Sequence, residues 1–246
     1  MKKVFLIIGG AGRLGSELVN FFSKEYLILS VDIEKNDFPW DGTSTLEISP
    51  LRSHWLEDFK KINEEIKKIG ELSAIIFANR IRLPRDSRPL NFGEKETYES
   101  EIYFAAELIE CLLEEQNLNN HSSIIFITST NAKTISHQPL YYHLAKASID
   151  MMIYWLADRL KNKSIRVNGI RIGLVGDLGL SSGARAVLAE KVLLNNRITN
   201  ATDICKAVNF LVKNDLSTHL TGQILNISGG YELEDPLYLL NKIGIN

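Results

Sequence analysis

The chain alternates short unbroken apolar runs with longer stretches whose apolar positions recur at helical spacing, and the first of each sets the pattern. Val4, Phe5, Leu6, Ile7 and Ile8 show no polar alternation, as expected of a parallel strand buried on both faces. They give way to glycines and then to Leu14, Leu18, Val19 and Phe22 on one helical face. A second apolar run over 26–31 ends at Asp32, and after a turn-rich segment carrying Pro39 and Gly42 a short third strand is expected over 46–49. Pro50 opens a helix in which Leu56, Phe59, Ile62, Ile66 and Ile69 form the buried stripe, while Lys60, Lys61, Glu64, Glu65, Lys67 and Lys68 face water. A strand over 74–77 leads to Ala78, Asn79 and Arg80. A helix over 94–117 carries Ile102, Ala105, Ala106, Ile109, Leu112 and Leu113, and a strand over 124–127 ends in Thr128, Ser129 and Thr130. Helix 141–160, strand 166–172, a loop with Gly173, Gly176, Gly179 and Gly183, helix 202–212 and strand 224–227 complete the pattern.

Strands alternating with helices of this length specify an α/β fold, a doubly wound parallel sheet with helices on both faces and right-handed crossovers. A length of 246 residues, 45% of them apolar, suits one sizeable core, and no Pro- or Ser-rich linker divides it, so a single domain over 1–246 is expected. The net charge of −2 gives no global excess that would favour nucleic acid or a membrane surface, so neither is expected as a partner. Cys111 and Cys205 lie far apart without metal or disulfide spacing, and the five histidines show no ligand pattern, so no metal is expected. The apolar run after Met1, Lys2 and Lys3 is too short for a signal sequence and no stretch is long enough to span a bilayer, which makes the cytoplasm the expected location.

The chemistry gathers where strands end. Gly10, Gly12 and Gly15 give the G-x-G-x-x-G spacing between a strand and a helix: a tight turn, backbone close to a pyrophosphate, and close helix packing. The helix then aims free N–H groups and its positive end at phosphate. Asp32 follows at the distance where an acid accepts hydrogen bonds from the adenosine ribose and repels a 2′-phosphate. NAD rather than NADP is therefore the expected cofactor, with Arg13 as a nearby cation that speaks the other way.

Ser129 leaves the fifth strand, Tyr142 comes thirteen residues later, and Lys146 follows at i+4 on the same helix face. A phenol with a pKa of about 10 is ionised about one part in a thousand at pH 7, a gap of about 4 kcal/mol. An ammonium about 5 Å away supplies about 3 kcal/mol at an effective dielectric of 20. Lys146 and a positively charged nicotinamide can therefore make Tyr142 a usable base, with Ser129 holding the reacting oxygen.

In these motifs the chain resembles the short-chain dehydrogenase/reductase family over essentially its whole length. The likeness runs from the glycine loop through Ser129, Tyr142 and Lys146 to RVNGIRIG at 166–173 and TGQILNISGG at 221–230. It implies a seven-stranded Rossmann-type sheet, a nicotinamide dinucleotide, and a homodimer or homotetramer. The positions it marks for the cofactor are Gly9, Gly10, Gly12, Arg13, Leu14, Gly15, Asp32, Ala78, Asn79, Tyr142, Lys146, Gly173 and Val175. Ser129, Tyr142, Lys146 and Glu101 are the implied catalytic set, Glu101 standing where the family has an Asn that sustains a proton relay through the Lys. Other departures are Ile8 for the Thr that opens the glycine motif, the run Ala78, Asn79, Arg80 for Asn-Ala-Gly, Ile172 for Pro, and Ser228 for Asp.

The reading that follows is an NAD-dependent oxidoreductase interconverting an alcohol and a carbonyl in a small-molecule substrate. Its rivals are a dinucleotide-binding regulator without turnover and a sugar epimerase or dehydratase with bound NAD. Arg80, Arg82, Arg85 and Arg88 form the densest run of one sign and are candidates for an anionic or sugar-derived substrate, against the plainer expectations of a solvated loop paired with Asp86, Glu94 and Glu96 or of a contact from Arg80 alone to the cofactor pyrophosphate. Helix 141–160 is apolar on two rows, Ala145, Ile149, Met152, Leu156, Leu160 and Leu144, Met151, Trp155, and one sheet cannot bury both, which points to self-association.

Overall fold

The computed structural model describes residues 3–34, 38–80, 94–136, 138–176, 181–190 and 192–233. Seven strands, β1 (Lys3–Ile8), β2 (Leu27–Asp32), β3 (Thr43–Glu47), β4 (Glu71–Phe77), β5 (Ser123–Ser129), β6 (Arg166–Ile172) and β7 (Ile224–Ile227), form one sheet in the order β3-β2-β1-β4-β5-β6-β7. Every neighbouring pair is parallel. Between the strands run α1 (Arg13–Phe22), α2 (Trp55–Ile69), α3 (Glu94–Tyr98), α4 (Phe104–Glu114), α5 (Leu140–Arg159), α6 (Ser182–Ala189), α7 (Ala201–Val212) and α8 (Asn214–Ser217).

Side chains alternate across the sheet as the strand period of two requires. Leu6, Ile8, Val31, Ile75, Phe77, Ile124 and Phe126 face α2, α4 and α5, and Phe5, Ile7, Ile28, Ile76, Ile125 and Ile170 face α1 and α7. Both faces are covered, which is why these strands read as unbroken apolar runs. The register aligns their carboxyl ends: Ile8 lies beside Val31 and Phe77, Phe77 beside Phe126, and Ser129 beside Ile172. Gly9, Asp32, Ala78, Ser129 and Gly173 therefore share one edge of the sheet. On that edge the strand order reverses between β1 and β4, where open sheets of this kind hold ligands.

Several elements depart from expectation for identifiable reasons. The third strand begins at Thr43 rather than Leu46 and ends at Glu47, because it is a half-buried edge strand whose register is fixed by β2 and not by an apolar run of its own. Pro50 precedes a short 3₁₀ turn, Arg52–His54, and α2 begins at Trp55. Trp55 takes the core position expected of Leu56: it is 2% exposed and meets the Phe104 ring edge-on at 5.2 Å, whereas Leu56 is 67% exposed. The helix expected over 94–117 is three pieces, with a π turn at Glu99–Tyr103 between α3 and α4. The loop after β6 contains α6, and α8 follows α7. Leu144, Met151 and Trp155 on α5 are exposed, while Ala145, Ile149, Leu156 and Leu160 are buried against the sheet. No helix among the described residues is long and apolar enough to cross a membrane, and no cluster of potential metal ligands occurs among them.

Candidate active site

The glycine loop is shaped by what its missing side chains leave free. Gly9 has φ +84, and a Cβ there would stand 2.5 Å from the Asn79 backbone at the exit of β4. At Gly15 a Cβ would stand 1.9 Å from the Gly9 carbonyl oxygen, so the first turn of α1 sits directly on the loop. Gly12 is the residue before α1, extended at φ −64 and ψ 163, and Arg13 and Leu14 open the helix. Asp32 closes the arrangement. Its Oδ2 accepts from the Ala11 N–H at 2.9 Å and its Oδ1 from the Ile33 N–H at 2.7 Å. A carboxylate has about four lone-pair sites, so two backbone donors leave acceptor capacity for further hydroxyls. The loop thus places a glycine turn at a helix N-terminus with an acid beside it, the arrangement a dinucleotide requires.

Across the β1/β4 boundary lies a second cluster. Ser129 ends β5 in extended conformation, and its Oγ accepts from the Asn131 N–H at 3.2 Å, turning the chain into a short 3₁₀ segment. Tyr142 sits in the first turn of α5, just after Pro139, with Lys146 one turn later, and all three side chains are buried. The Thr128 hydroxyl donates to the Lys146 carbonyl at 3.3 Å, fixing this turn of α5 against β5. Asn131 returns to the same helix through its carbonyl, 2.8 Å from His143 Nδ1. A carbonyl only accepts, so the proton on that ring lies on Nδ1.

Two cations flank the Tyr142 ring. Lys146 Nζ is 5.6 Å and the Arg80 guanidinium carbon 4.3 Å from its centroid. Lys146 is paired as well with Glu101, Nζ to Oε2 at 2.7 Å, both groups buried. The π turn carries Glu101 there, and a π turn inside a helix is a frequent device at functional sites. The turn is tied to the cofactor edge by Asn79, whose Nδ2 donates to the Ser100 carbonyl at 2.6 Å. Glu101 Oε1 is buried and meets no hydrogen-bond partner among the described residues.

The residues singled out from sequence therefore divide clearly. Gly9, Gly10, Gly12, Gly15, Asp32, Ala78 and Asn79 lie at the crevice, and Glu101, Tyr142, Lys146 and Arg80 contact one another in a second group that Ser129 borders. Gly173 and Val175 follow β6 on the same edge, Val175 bridging to Thr199. Arg82, Arg85 and Arg88 lie outside the described residues. Sequence reasoning missed Gln138, whose Oε1 accepts from Arg80 Nη2 at 3.3 Å, and the Asn131–His143 contact. Asn131, two residues past Ser129 in a turn, carried a usable signal; Gln138, in a loop without pattern, did not.

Comparison with known proteins bears on the family and the fold. Residues 96–232 match the family model described as enoyl-(acyl carrier protein) reductase. The chain is 26% identical over 185 residues to the 7alpha-hydroxysteroid dehydrogenase of Paraclostridium sordellii, covering 72% of this chain and 69% of that one. It is similar in structure to a short chain dehydrogenase of Leptospira borgpetersenii crystallised with bound NAD+, at 25% identity and TM-score 0.78, covering 94% of this chain and 93% of that one. The fold is shared with ElxO with NADP bound, at 20% identity and TM-score 0.78 over 95% of this chain and 100% of the other.

Proposed function

The chain belongs to the short-chain dehydrogenase/reductase family, and from that premise we propose that it interconverts an alcohol and a carbonyl with NAD, Tyr142 moving the proton. The single observation that carries this reading is the buried Tyr142 ring in the first turn of α5, with the Arg80 guanidinium 4.3 Å and Lys146 Nζ 5.6 Å from its centroid and Ser129 one loop away. A nicotinamide dinucleotide, held by the glycine loop, Asp32, Asn79, Lys146 and the segment after β6, supplies or takes the hydride when bound. Tyr142 Oη gives its proton to the carbonyl oxygen in reduction and takes it back in oxidation, and Ser129 Oγ donates a hydrogen bond to that same oxygen. Lys146 stabilises the negative charge left on the phenol oxygen. Glu101 holds the Lys146 ammonium and offers a free carboxylate oxygen through which a proton can be returned.

Asp32 supports NAD over NADP, because a 2′-phosphate would meet its carboxylate. The exposed row Leu144, Met151 and Trp155 supports a homo-oligomer, since an apolar patch of that kind is seldom left in water. A second reading is favoured by the description of the matching family model: reduction of a carbon–carbon double bond conjugated to a carbonyl, in which the same phenol and hydroxyl polarise the carbonyl oxygen. Parallel NADH assays with a ketone and an enoyl thioester separate the two.

Tyr142→Phe tests the central claim. Loss of general acid catalysis costs about 10²–10⁴-fold in turnover, while NADH affinity, followed by its fluorescence, stays within about twofold because the pyrophosphate cradle is untouched. Turnover within a few-fold of wild type would remove Tyr142 from the mechanism.

A further inference from the structure

Resting on that assignment of Tyr142, we propose that Arg80 selects the substrate, and that the site takes a hydroxy or oxo acid whose carboxylate lies within about three bonds of the reacting carbon. Arg80 leaves β4 three residues after Phe77 and lays its guanidinium over the Tyr142 ring at 4.3 Å, well inside the range of about 6 Å at which a cation and an aromatic face attract. The other cation on that ring, Lys146, is committed to Glu101. Among the described residues Arg80 forms no ion pair with an acid, and its hydrogen-bond partner is the neutral amide oxygen of Gln138 at 3.3 Å.

An exposed arginine held in this way has lost rotamer freedom without gaining a counter-charge among the described residues. The face of the guanidinium is used by the ring and one Nη2 proton by Gln138, which leaves hydrogen-bonding edges of the planar fork open, the geometry that receives a carboxylate through two parallel bonds. The Arg80 guanidinium carbon is 4.3 Å from the centroid of the ring whose phenol meets the carbonyl oxygen, so a carboxylate seated on the guanidinium at about 2.8 Å suits a short substrate. Gln138 acts through Arg80 and is a positioning residue.

The test measures binding and turnover separately. Calorimetric titration of the NAD-loaded protein, which holds no hydride for an oxo acid to accept, with pyruvate and acetoacetate, and with their methyl esters, should show the acids binding at least tenfold more tightly than the esters, with the advantage shrinking as salt rises. In Arg80→Gln the acid-over-ester advantage should fall to within twofold, in binding and in the ratio of kcat/KM read from NADH absorbance, while NADH affinity stays within twofold. Gln138→Ala should weaken acid binding less than Arg80→Gln does. An acid preference that survives in Arg80→Gln, no preference in wild type, or no acid binding at all overturns the proposal. So does a parallel loss of NADH affinity, which would assign Arg80 to a cofactor phosphate. Tyr142→Phe distinguishes this claim from the one beneath it: it should keep the acid preference and lose turnover, and a variant that keeps both would bring down the catalytic assignment while leaving Arg80 in its role.

Discussion

Removing one member of the Glu101–Lys146 pair should cost far more than removing both. At 2.7 Å and an effective dielectric of about 20 the gross attraction is about 6 kcal/mol. Burying each ion costs several kcal/mol, so the intact pair is close to neutral for stability. The two side chains are 1% and 5% exposed, which leaves almost no water to take over a lost partner. Glu101→Gln strands the ammonium and Lys146→Met strands the carboxylate, and each should lose about 3–5 kcal/mol, roughly a fifth or more of the 5–15 kcal/mol of a typical domain. The double variant strands no charge and should recover to within about 1.5 kcal/mol of wild type, a coupling above the roughly 0.5–3 kcal/mol usual for contacting residues because each single variant leaves a buried ion alone. Urea unfolding of all four proteins, followed by tryptophan fluorescence and circular dichroism at one protein concentration, measures each term from the transition midpoint and slope. A cost below about 1 kcal/mol for Glu101→Gln, or a double variant as unstable as the sum of the singles, would mean that the two charges are not buried against each other.

Three further outcomes follow from particular contacts. Gly15→Ala drives a Cβ to 1.9 Å from the Gly9 carbonyl oxygen, which cannot yield without moving the loop, so NADH affinity should fall at least tenfold in a fluorescence titration; unchanged affinity would show that the loop does not hold the pyrophosphate. Asp32→Ala should raise the NADP(H)-to-NAD(H) ratio of kcat/KM at least tenfold, and wild type that already prefers NADP(H) would refute the role of Asp32. Asp203 is held below its ordinary value of 3.8 by hydrogen bonds from Arg197, against an opposing effect of burial, and by the Asn200 N–H at the start of α7. Its folded pKa is the lower one, so its contribution is complete above the unfolded value and is lost as pH falls through the folded one. Wild type should therefore lose stability with acid more steeply than Asp203→Asn below about pH 4, and equal slopes in urea unfolding at pH 5 and pH 3 would reject the assignment.

The alternation of strands and helices was legible because the five central strands carry their own apolar signal, and the edge strand β7 still reads Ile224, Leu225 and Ile227. β3 was placed three residues late because an edge strand reading Thr43, Ser44, Thr45 carries little of that signal. Trp55 and Leu56 are adjacent apolar residues, and only the phase of the helix against Phe104 decides which is buried. In the site, the order Gly10, Asp32, Ser129, Tyr142, Lys146 could be read because each residue follows a recognisable element. The contact of Arg80 with Tyr142 could not, since it joins residues 62 positions apart through side-chain directions that no period records. Glu101 was picked out by its position, but its direct ion pair with Lys146 depends on a π turn whose residues look like ordinary helix.

That turn also fixes a rule for altering the chain. A π turn amounts to one residue more than the α-helix would use, and each residue of an α-helix advances side chains by about 100°. Deleting one residue within Glu99–Tyr103 would restore regular helix but rotate everything on one side of the deletion against the other. Either Glu101 would swing away from Lys146, or Phe104, Leu108 and Leu112 would leave the sheet. The two halves of this helix are thus keyed to different neighbours at different phases, and the extra residue is the offset between them. A redesign that idealised the helix for stability would be choosing between the site and the core.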